Sequence, residues 1–245
     1  MFVHGFACNH EDWRHQVRAF SPSHDTIACD LRGHGATPGR AHECSIEHYG
    51  GDVAALVANL ALPKTVLVGH SMGCRVVLEA NRLAPERIAG IVLVDGSRLG
   101  TGEPQAAEAA TRATIDARGY PAFAEDFFRA MFFRPSPEAD AVVERAVRSS
   151  AAFGADLLAR VARWDAATLD AALAAVRAPL LAIQSTMMDT SRRRVPMKAG
   201  DSSPWLELLM RHGARVEIVP GTGHFTMLEA PAAVNGLIGA FLERL

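Results

Sequence analysis

Four short runs of β-branched and aliphatic residues are spaced along the chain. They are mostly apolar rather than alternating, which is typical of parallel strands that helices cover on both faces. The runs predict strands at 65–68, 91–94, 180–183 and 215–219. Helical sequence separates them, and the clearest helices are predicted at 45–60, 74–83 and 230–244. This succession predicts an α/β fold built on a mostly parallel, doubly wound sheet.

The strand pattern stops between Gly102 and Arg177, where alanine- and arginine-rich helical sequence takes over. We interpret this stretch as a helical cap that is inserted into the sheet domain. The predicted division is a first part of the core at 1–101, the cap at 102–177 and a second part of the core at 178–245.

The composition fits one large domain, since 245 residues with 49% hydrophobic side chains can bury a substantial core. A net charge of -2 argues against nucleic acid or an anionic membrane as the partner, because both require a concentrated basic face. No apolar stretch reaches the roughly 18 residues of a membrane span, and no secretory signal pattern opens the chain. We expect a cytoplasmic protein that acts on a small molecule. The oligomeric state stays open, a homodimer included.

The four cysteines are scattered along the first third of the chain, at Cys8, Cys29, Cys44 and Cys74. They form no CxxC pair and do not have the spacing of a zinc site. We interpret them as reduced thiols, and we expect neither a metal nor an organic cofactor.

Gly69-His70-Ser71-Met72-Gly73 fits the pattern G-x-S-x-G, with a predicted strand before it and a predicted helix after it. A sharp turn there would strain the serine backbone and expose its hydroxyl at a helix N-terminus. The helix dipole and the Met72 N–H would favour negative charge on a nearby oxygen. The pentapeptide alone is weak evidence, because roughly 0.08 matches are expected by chance at this composition.

Three further motifs follow apolar segments: His4-Gly5-Phe6, the D-x-R-G-x-G segment at 30–35, and Gly223-His224-Phe225 with Leu228-Glu229-Ala230-Pro231 after it. Together with the G-x-S-x-G turn, they give the chain a sequence that resembles the α/β-hydrolase family over essentially its whole length. The resemblance implies Ser71 as nucleophile and His224 as general base and acid. It also implies an oxyanion hole formed by the backbone N–H groups of Phe6 and Met72.

A carboxylate must hold the His224 ring in one tautomer and stabilise the imidazolium that forms. Two positions compete for this role. Asp189 follows the strand at 180–183, the commonest place for this acid in the family, but its turn is one residue longer than usual and lacks glycine. Asp95 ends the strand that follows the nucleophile strand, a position that some family members use instead. Both stay open, and the unusual turn before Asp189 slightly favours Asp95.

Five of the eleven phenylalanines fall between residues 123 and 133, inside the predicted cap. Two interpretations stay open for them. They pack the cap onto the main domain, or some of them line an apolar substrate pocket. For the pocket we single out Phe127, Phe128 and Phe132.

The stretch from Thr186 to Pro204 is rich in Ser, Arg, Pro and Gly, and we expect it to be irregular. It contains Arg192, Arg193 and Arg194, which would suit a clamp for a substrate carboxylate. Only two of the chain's 25 basic residues are lysine, so arginine fills nearly every basic position and a run of arginines says little about function. A solvated loop is therefore the simpler interpretation of this run.

These residues predict a serine hydrolase that cleaves carboxylic esters of small, mostly apolar substrates through an acyl-enzyme. Lactone opening, C–C bond hydrolysis and cofactor-free dioxygenase chemistry are alternatives on the same triad, since fold does not fix reaction. A non-enzymatic small-ligand receptor on the same fold is a further alternative.

The His4-Gly5-Phe6 motif begins unusually early for the resembled family, in which a hairpin and most of a strand come before it. Roughly 20–25 residues of the usual pattern are missing in front. Either the protein starts upstream of Met1, or the fold uses a six-stranded sheet with a shortened strand. We expect the first of these.

Overall fold

The structure is a computed structural model that describes residues 1–62, 64–149, 151–189 and 193–245, without the side chains of residues 151 and 152. Its central sheet contains six parallel strands in the order β2-β1-β3-β4-β5-β8. These strands are β1 (Phe2–Val3), β2 (Ala28–Cys29), β3 (Thr65–His70), β4 (Ile88–Val94), β5 (Leu180–Gln184) and β8 (Arg215–Ile218). All four strands that the sequence predicts are present, and the predicted parallel α/β fold is confirmed.

The helices of the described chain are α1 (Arg14–Phe20), α2 (Ile46–Asn59), α3 (Met72–Leu83), α4 (Pro104–Asp116), α5 (Tyr120–Arg129), α6 (Pro137–Arg148), α7 (Ala151–Ala167), α8 (Leu169–Ala174), α9 (Pro204–Arg211), α10 (Thr226–Glu229) and α11 (Pro231–Leu242). Several begin at a serine whose hydroxyl caps the first turn, such as Ser45 on the His48 N–H and Ser136 on the Ala139 N–H. Among the described helices, none has both the length and the apolar character needed to cross a membrane.

The middle strands are buried on both faces. Adjacent residues of β4, Val92 and Leu93, point to opposite sides of the sheet, and both are almost fully inaccessible to solvent. The register pairs His70 with Val94 and Val94 with Ile183, so the carboxyl ends of β3, β4 and β5 lie at one edge. Ligands of open parallel sheets bind at this edge.

Five helices, α4 to α8, lie between β4 and β5 in the chain, within the predicted insertion. Two ion pairs, one buried and one partly buried, join this helical insertion to the sheet domain. Arg75 on α3 pairs with Asp165 on α7 at 2.7 Å, and Arg145 on α6 pairs with Asp12 at 2.7 Å. The insertion is therefore fixed by charge-assisted hydrogen bonds as well as by apolar packing.

The prediction of an irregular segment from Thr186 to Pro204 is wrong for part of its length. Strands β6 (Thr186–Met188) and β7 (Arg194–Pro196) form a short antiparallel hairpin, and α9 begins at Pro204. Three residues per strand are too few to give a detectable alternating pattern. The hairpin is instead defined by contacts to distant residues, which belong to the site described next.

Candidate active site

Ser71 lies at the turn between β3 and α3, with φ 54° and ψ -114°. This left-handed conformation is strained for a residue with a side chain. Two glycines make the turn possible, because a Cβ on Gly69 would lie 2.3 Å from the Gly73 carbonyl oxygen. A Cβ on Gly73 would lie 2.4 Å from the Val3 carbonyl oxygen. The G-x-S-x-G pattern therefore reflects the close approach of three backbone segments, and it leaves Ser71 half-buried at the cleft.

His224 follows β8, and its ring reaches back to the same edge of the sheet. Its Nδ1 atom lies 2.6 Å from Asp95 Oδ2, and both side chains are buried. Among the described residues, no group forms a hydrogen bond with His224 Nε2. His224 and Ser71 line one cleft, so a ring with one unpartnered nitrogen and the serine hydroxyl belong to the same site.

The loop that carries His224 is held by its main chain. The His224 N–H donates to the Met131 carbonyl at 2.8 Å, and the Gly223 N–H donates to Glu229 Oε2 at 3.1 Å. Glu229 belongs to the Leu-Glu-Ala-Pro motif that the sequence singled out. Its structural part is to fix the turn in front of the histidine.

Asp95 directly follows β4 and has φ 46°, again in the left-handed region. Its Oδ1 accepts the N–H groups of Ser185 and Thr186 at 2.8 and 2.9 Å, and its Oδ2 accepts the Thr186 hydroxyl at 2.5 Å. These bonds, together with that from His224, saturate the carboxylate and fix its orientation.

Asp189 lies elsewhere. It sits at the end of β6, where its carboxylate accepts the backbone N–H of Arg193 at 2.9 Å and pairs with the Arg193 side chain. The structure therefore brings Asp95, and not Asp189, to His224. The longer turn after β5 forms the hairpin, which carries Asp189 away along β6.

The pKa of His224 is lowered to about 4, first by burial and then by the neighbouring Arg194 cation, against the opposing effect of Asp95. The pKa of Asp95 is also lowered. Burial acts in the opposite direction, but the hydrogen bond and charge of His224 outweigh it, with Arg194 and Thr186 adding to the effect. At neutral pH the pair is therefore a neutral imidazole against a carboxylate.

Two backbone N–H groups lie where an oxyanion hole is predicted. Phe6 and Met72 line the cleft beside Ser71. In the described part of the chain, neither N–H donates to a protein acceptor. An oxyanion hole formed by these two groups stays a prediction.

The Phe6 loop is tied to the helical insertion. Arg145 donates to the Ala7 carbonyl at 3.1 Å, to Asn9 at 3.3 Å and to both oxygens of Asp12. Ala7 itself has φ 54°, so this guanidinium holds a strained backbone segment next to Phe6. Nothing in the sequence pattern points to Arg145.

The other histidines of the motifs make structural hydrogen bonds. His4 donates from Nδ1 to the Gly5 carbonyl at 2.8 Å and accepts the Leu31 N–H on Nε2 at 3.0 Å. His70 donates from Nε2 to the His224 carbonyl at 2.9 Å. Burial holds the pKa of His70 well below its usual range, so it stays neutral beside His224.

The cleft above Ser71 has a volume of about 700 Å³, part of it open to solvent. Its walls are mostly apolar and include Phe127 and Phe128, two of the three predicted pocket residues. Phe132, the third, is not among the described lining residues. Its ring stacks on Phe225 at 4.8 Å, because α5 ends at Arg129 and the chain turns before it. The phenylalanine cluster thus both packs the insertion and lines the cleft.

Arginine side chains in the cleft wall are the main feature that sequence reasoning underestimated. Arg75 was not singled out, yet it donates to the Ser71 carbonyl at 3.3 Å. Of the three adjacent arginines for which a clamp and a solvated loop were weighed, Arg192 lies outside the described residues and Arg193 is largely exposed. Arg194 is mostly buried beside Asp95, 3.7 Å from Oδ2.

A family model described as "Alpha/beta hydrolase family" matches residues 1–237. Among curated proteins, the acetyltransferase component of an acetoin cleaving system from Pseudomonas putida is 34% identical over 100 residues, 41% of this chain and 27% of that protein. A putative esterase/lipase from Haemophilus influenzae is 30% identical over 99 residues, 40% of this chain and 34% of that protein. The chain thus spans only about a quarter to a third of the length of these curated relatives.

Solved structures match over far more of the chain. One, of an N-acyl homoserine lactone degrading enzyme, superposes with a TM-score of 0.77 at 25% identity and covers 98% of this chain and 91% of its own. The fold described above is therefore shared over nearly the full length of both chains.

Proposed function

Because the chain belongs to the alpha/beta hydrolase family, we propose that it is a serine hydrolase that cleaves carboxylic esters of small, mostly apolar substrates through an acyl-enzyme. The observation that carries the proposal is the state of His224. Asp95 holds its Nδ1, while its Nε2 has no hydrogen-bond partner among the described residues and lies in one cleft with Ser71. A general base for a serine hydroxyl needs an oriented ring with a free nitrogen, and its hydrogen bond to the serine often tightens only when substrate binds.

In the proposed reaction, Ser71 Oγ attacks the ester carbonyl and His224 Nε2 takes the hydroxyl proton. Asp95 stabilises the imidazolium through the 2.6 Å hydrogen bond. The Phe6 and Met72 N–H groups stabilise the oxyanion, and such donors act strongly because they are already oriented.

The tetrahedral intermediate then expels the alcohol, to which His224 returns the proton, and an ester between Ser71 and the acyl group remains. Water attacks that ester with His224 as base again, which releases the carboxylic acid and restores the serine. Every proton in the cycle passes through one nitrogen, so the neutral state of His224 sets the rate at acidic pH.

The walls of the cleft support a small, mostly apolar acyl or alcohol group. Phe6 and Phe128 stack with ring centroids 5.9 Å apart, and Leu158 and Val161 of α7 line the same space.

Lactone opening is the second candidate, because a structure that matches nearly the whole chain is that of an N-acyl homoserine lactone degrading enzyme. The same nucleophile and base would serve, since a lactone is a cyclic ester. Lactone opening differs from hydrolysis of an open-chain ester because the leaving alcohol stays attached to the acyl group.

A fluorophosphonate probe and a panel of p-nitrophenyl esters and lactones test the proposal. We expect the probe to label Ser71, short-chain esters or lactones to turn over, and Ser71→Ala to abolish both. Labelling without turnover on any member of the panel would favour a ligand receptor instead. Turnover of a heteroaromatic substrate with oxygen that survives Ser71→Ala would favour cofactor-free dioxygenase chemistry.

A further inference from the structure

Arg194 differs from the other arginines of the active-site cleft in how its charge is compensated. Arg75 gives two hydrogen bonds of 2.7 Å to Asp165, and Arg98 gives bonds of 3.1 and 2.9 Å to Asp170. Each of these guanidiniums has its own carboxylate. Arg194 lies 3.7 Å from Asp95, a carboxylate that is already engaged by His224.

The guanidinium of Arg194 also has N–H groups without a hydrogen-bond acceptor among the described residues. Its Nη1 donates to the Thr186 hydroxyl at 2.6 Å, and in the described part of the chain this is its one side-chain hydrogen bond. A guanidinium carries five N–H donors, so most of those of Arg194 lack an acceptor among the described residues. The side chain is only 11% exposed, so water reaches little of it. Burial lowers the pKa of Arg194, which reflects the cost of this poorly compensated charge.

Arg194 lies in the wall between the active-site cleft and a second cleft of about 1050 Å³. The two clefts share Ser97, Arg98, Met188 and Arg194. No aspartate or glutamate is among the described residues that line either one. A ligand that extends from Ser71 towards the shared wall would meet arginine side chains and no carboxylate among the described lining residues.

We infer that the substrate carries a carboxylate remote from the scissile ester, and that Arg194 binds it. This inference rests on the proposed function, because it names the class of ester that the same site accepts. A planar carboxylate matches the paired donors of a guanidinium, and unlike Asp95 it would not already be engaged by His224. The expected substrates are monoesters of dicarboxylic acids, or lactones that bear a carboxylate.

The test compares two p-nitrophenyl esters of matched length, the adipate monoester and the adipamate, in which a neutral amide replaces the carboxylate. We expect the wild-type protein to favour the adipate monoester, measured as the ratio of kcat/KM values after subtraction of spontaneous hydrolysis. Arg194→Gln should lower this ratio by about 10- to 100-fold, the usual value of a hydrogen bond to a charged group. Because the readout is a ratio, a general loss of activity cancels.

Arg193→Gln is the matched control, since Arg193 is the preceding residue and its side chain is 78% exposed. It should leave the ratio unchanged. Equal ratios for the wild type and Arg194→Gln, or a wild-type preference for the amide, would overturn the inference.

Calorimetric binding of the two esters to Ser71→Ala, with and without Arg194→Gln, separates the two proposals. Tighter binding of the adipate monoester that is lost with Arg194→Gln supports the carboxylate site, whether or not the wild-type protein turns over any ester. Absence of wild-type turnover together with this binding would count against the hydrolase proposal and leave the carboxylate site standing. Equal binding of both esters would count against the carboxylate site alone.

Discussion

His224 Nδ1 lies 2.6 Å from Asp95 Oδ2, although the two residues are 129 positions apart in the chain. The bond joins the end of β4 to the loop after β8, across the edge where the parallel strands end. It fixes the imidazole tautomer, because the nitrogen that faces the carboxylate must carry the proton.

Asp95→Asn should therefore lower kcat by about four orders of magnitude, because an amide favours the wrong tautomer and cannot stabilise the imidazolium. Asp189→Asn is the matched control, and we expect near wild-type turnover because that carboxylate serves the hairpin. Steady-state kinetics on a turned-over ester measures both. A large loss for Asp189→Asn with a small loss for Asp95→Asn would reverse the assignment.

The pH dependence of kcat/KM should have an unusually acidic lower limb. Activity requires neutral His224, and it rises with pH as that residue loses its proton. Since the pKa of His224 is lowered to about 4, half-maximal activity should fall near that pH rather than near 6.5. Fluorescence at each pH must verify that the protein stays folded.

Arg194→Gln should move this limb to higher pH. The Arg194 cation disfavours a second positive charge on His224, so its removal raises the pKa of the imidazole. The shift is read from kcat/KM profiles of the variant and the wild type on a neutral ester. An unchanged limb would show that Arg194 has no electrostatic influence on the base.

The two glycines of the serine turn should be intolerant of alanine. Gly69→Ala or Gly73→Ala would place a Cβ within 2.4 Å of a carbonyl oxygen, and overpacking of this kind costs about 1–3 kcal/mol or more. Gly51→Ala on α2 is the control, because no atom lies within 4 Å of its Cβ. It should raise the free energy of unfolding by about 0.5–1 kcal/mol. Chemical denaturation distinguishes the two outcomes.

The buried pair of Arg75 and Asp165 should couple strongly in a double-mutant cycle. Removal of one partner leaves an uncompensated buried charge, at a cost of about 3–5 kcal/mol, so Asp165→Asn alone should be severely destabilising. The exposed pair of Glu144 and Arg148 provides the comparison, with an expected coupling below about 0.5 kcal/mol. Similar coupling in the two pairs would contradict the burial argument.

The sheet and the serine turn were predictable because their signals are local. A strand, a glycine-flanked serine and a helix occupy consecutive residues from Thr65 to Leu83, so a short window contains the whole element. The choice between Asp95 and Asp189 could be made only from the folded structure. It depends on where the chain after β5 goes, and the three-residue strands of the hairpin leave no periodic signal.

Arg194 was hidden for a different reason. It is the last of three adjacent arginines in a chain that uses arginine for nearly every basic position. Burial distinguishes it from Arg193, since the side chain of Arg194 is 11% exposed and that of Arg193 is 78% exposed. Arg145 and Arg75 lie on helices, where an arginine is unremarkable until its partners are known.

The bond from the His224 N–H to the Met131 carbonyl makes the base depend on the helical insertion. A main-chain carbonyl belongs to every residue type, so this dependence leaves no trace in the identity of residue 131 and would escape any comparison of sequences. Exchange of the insertion between relatives would change the residues that line the cleft, and it would also remove the hydrogen bond that holds the His224 main chain. Grafted insertions should therefore be chosen by the position of this one oxygen atom, because the side chains around it carry no record of the requirement.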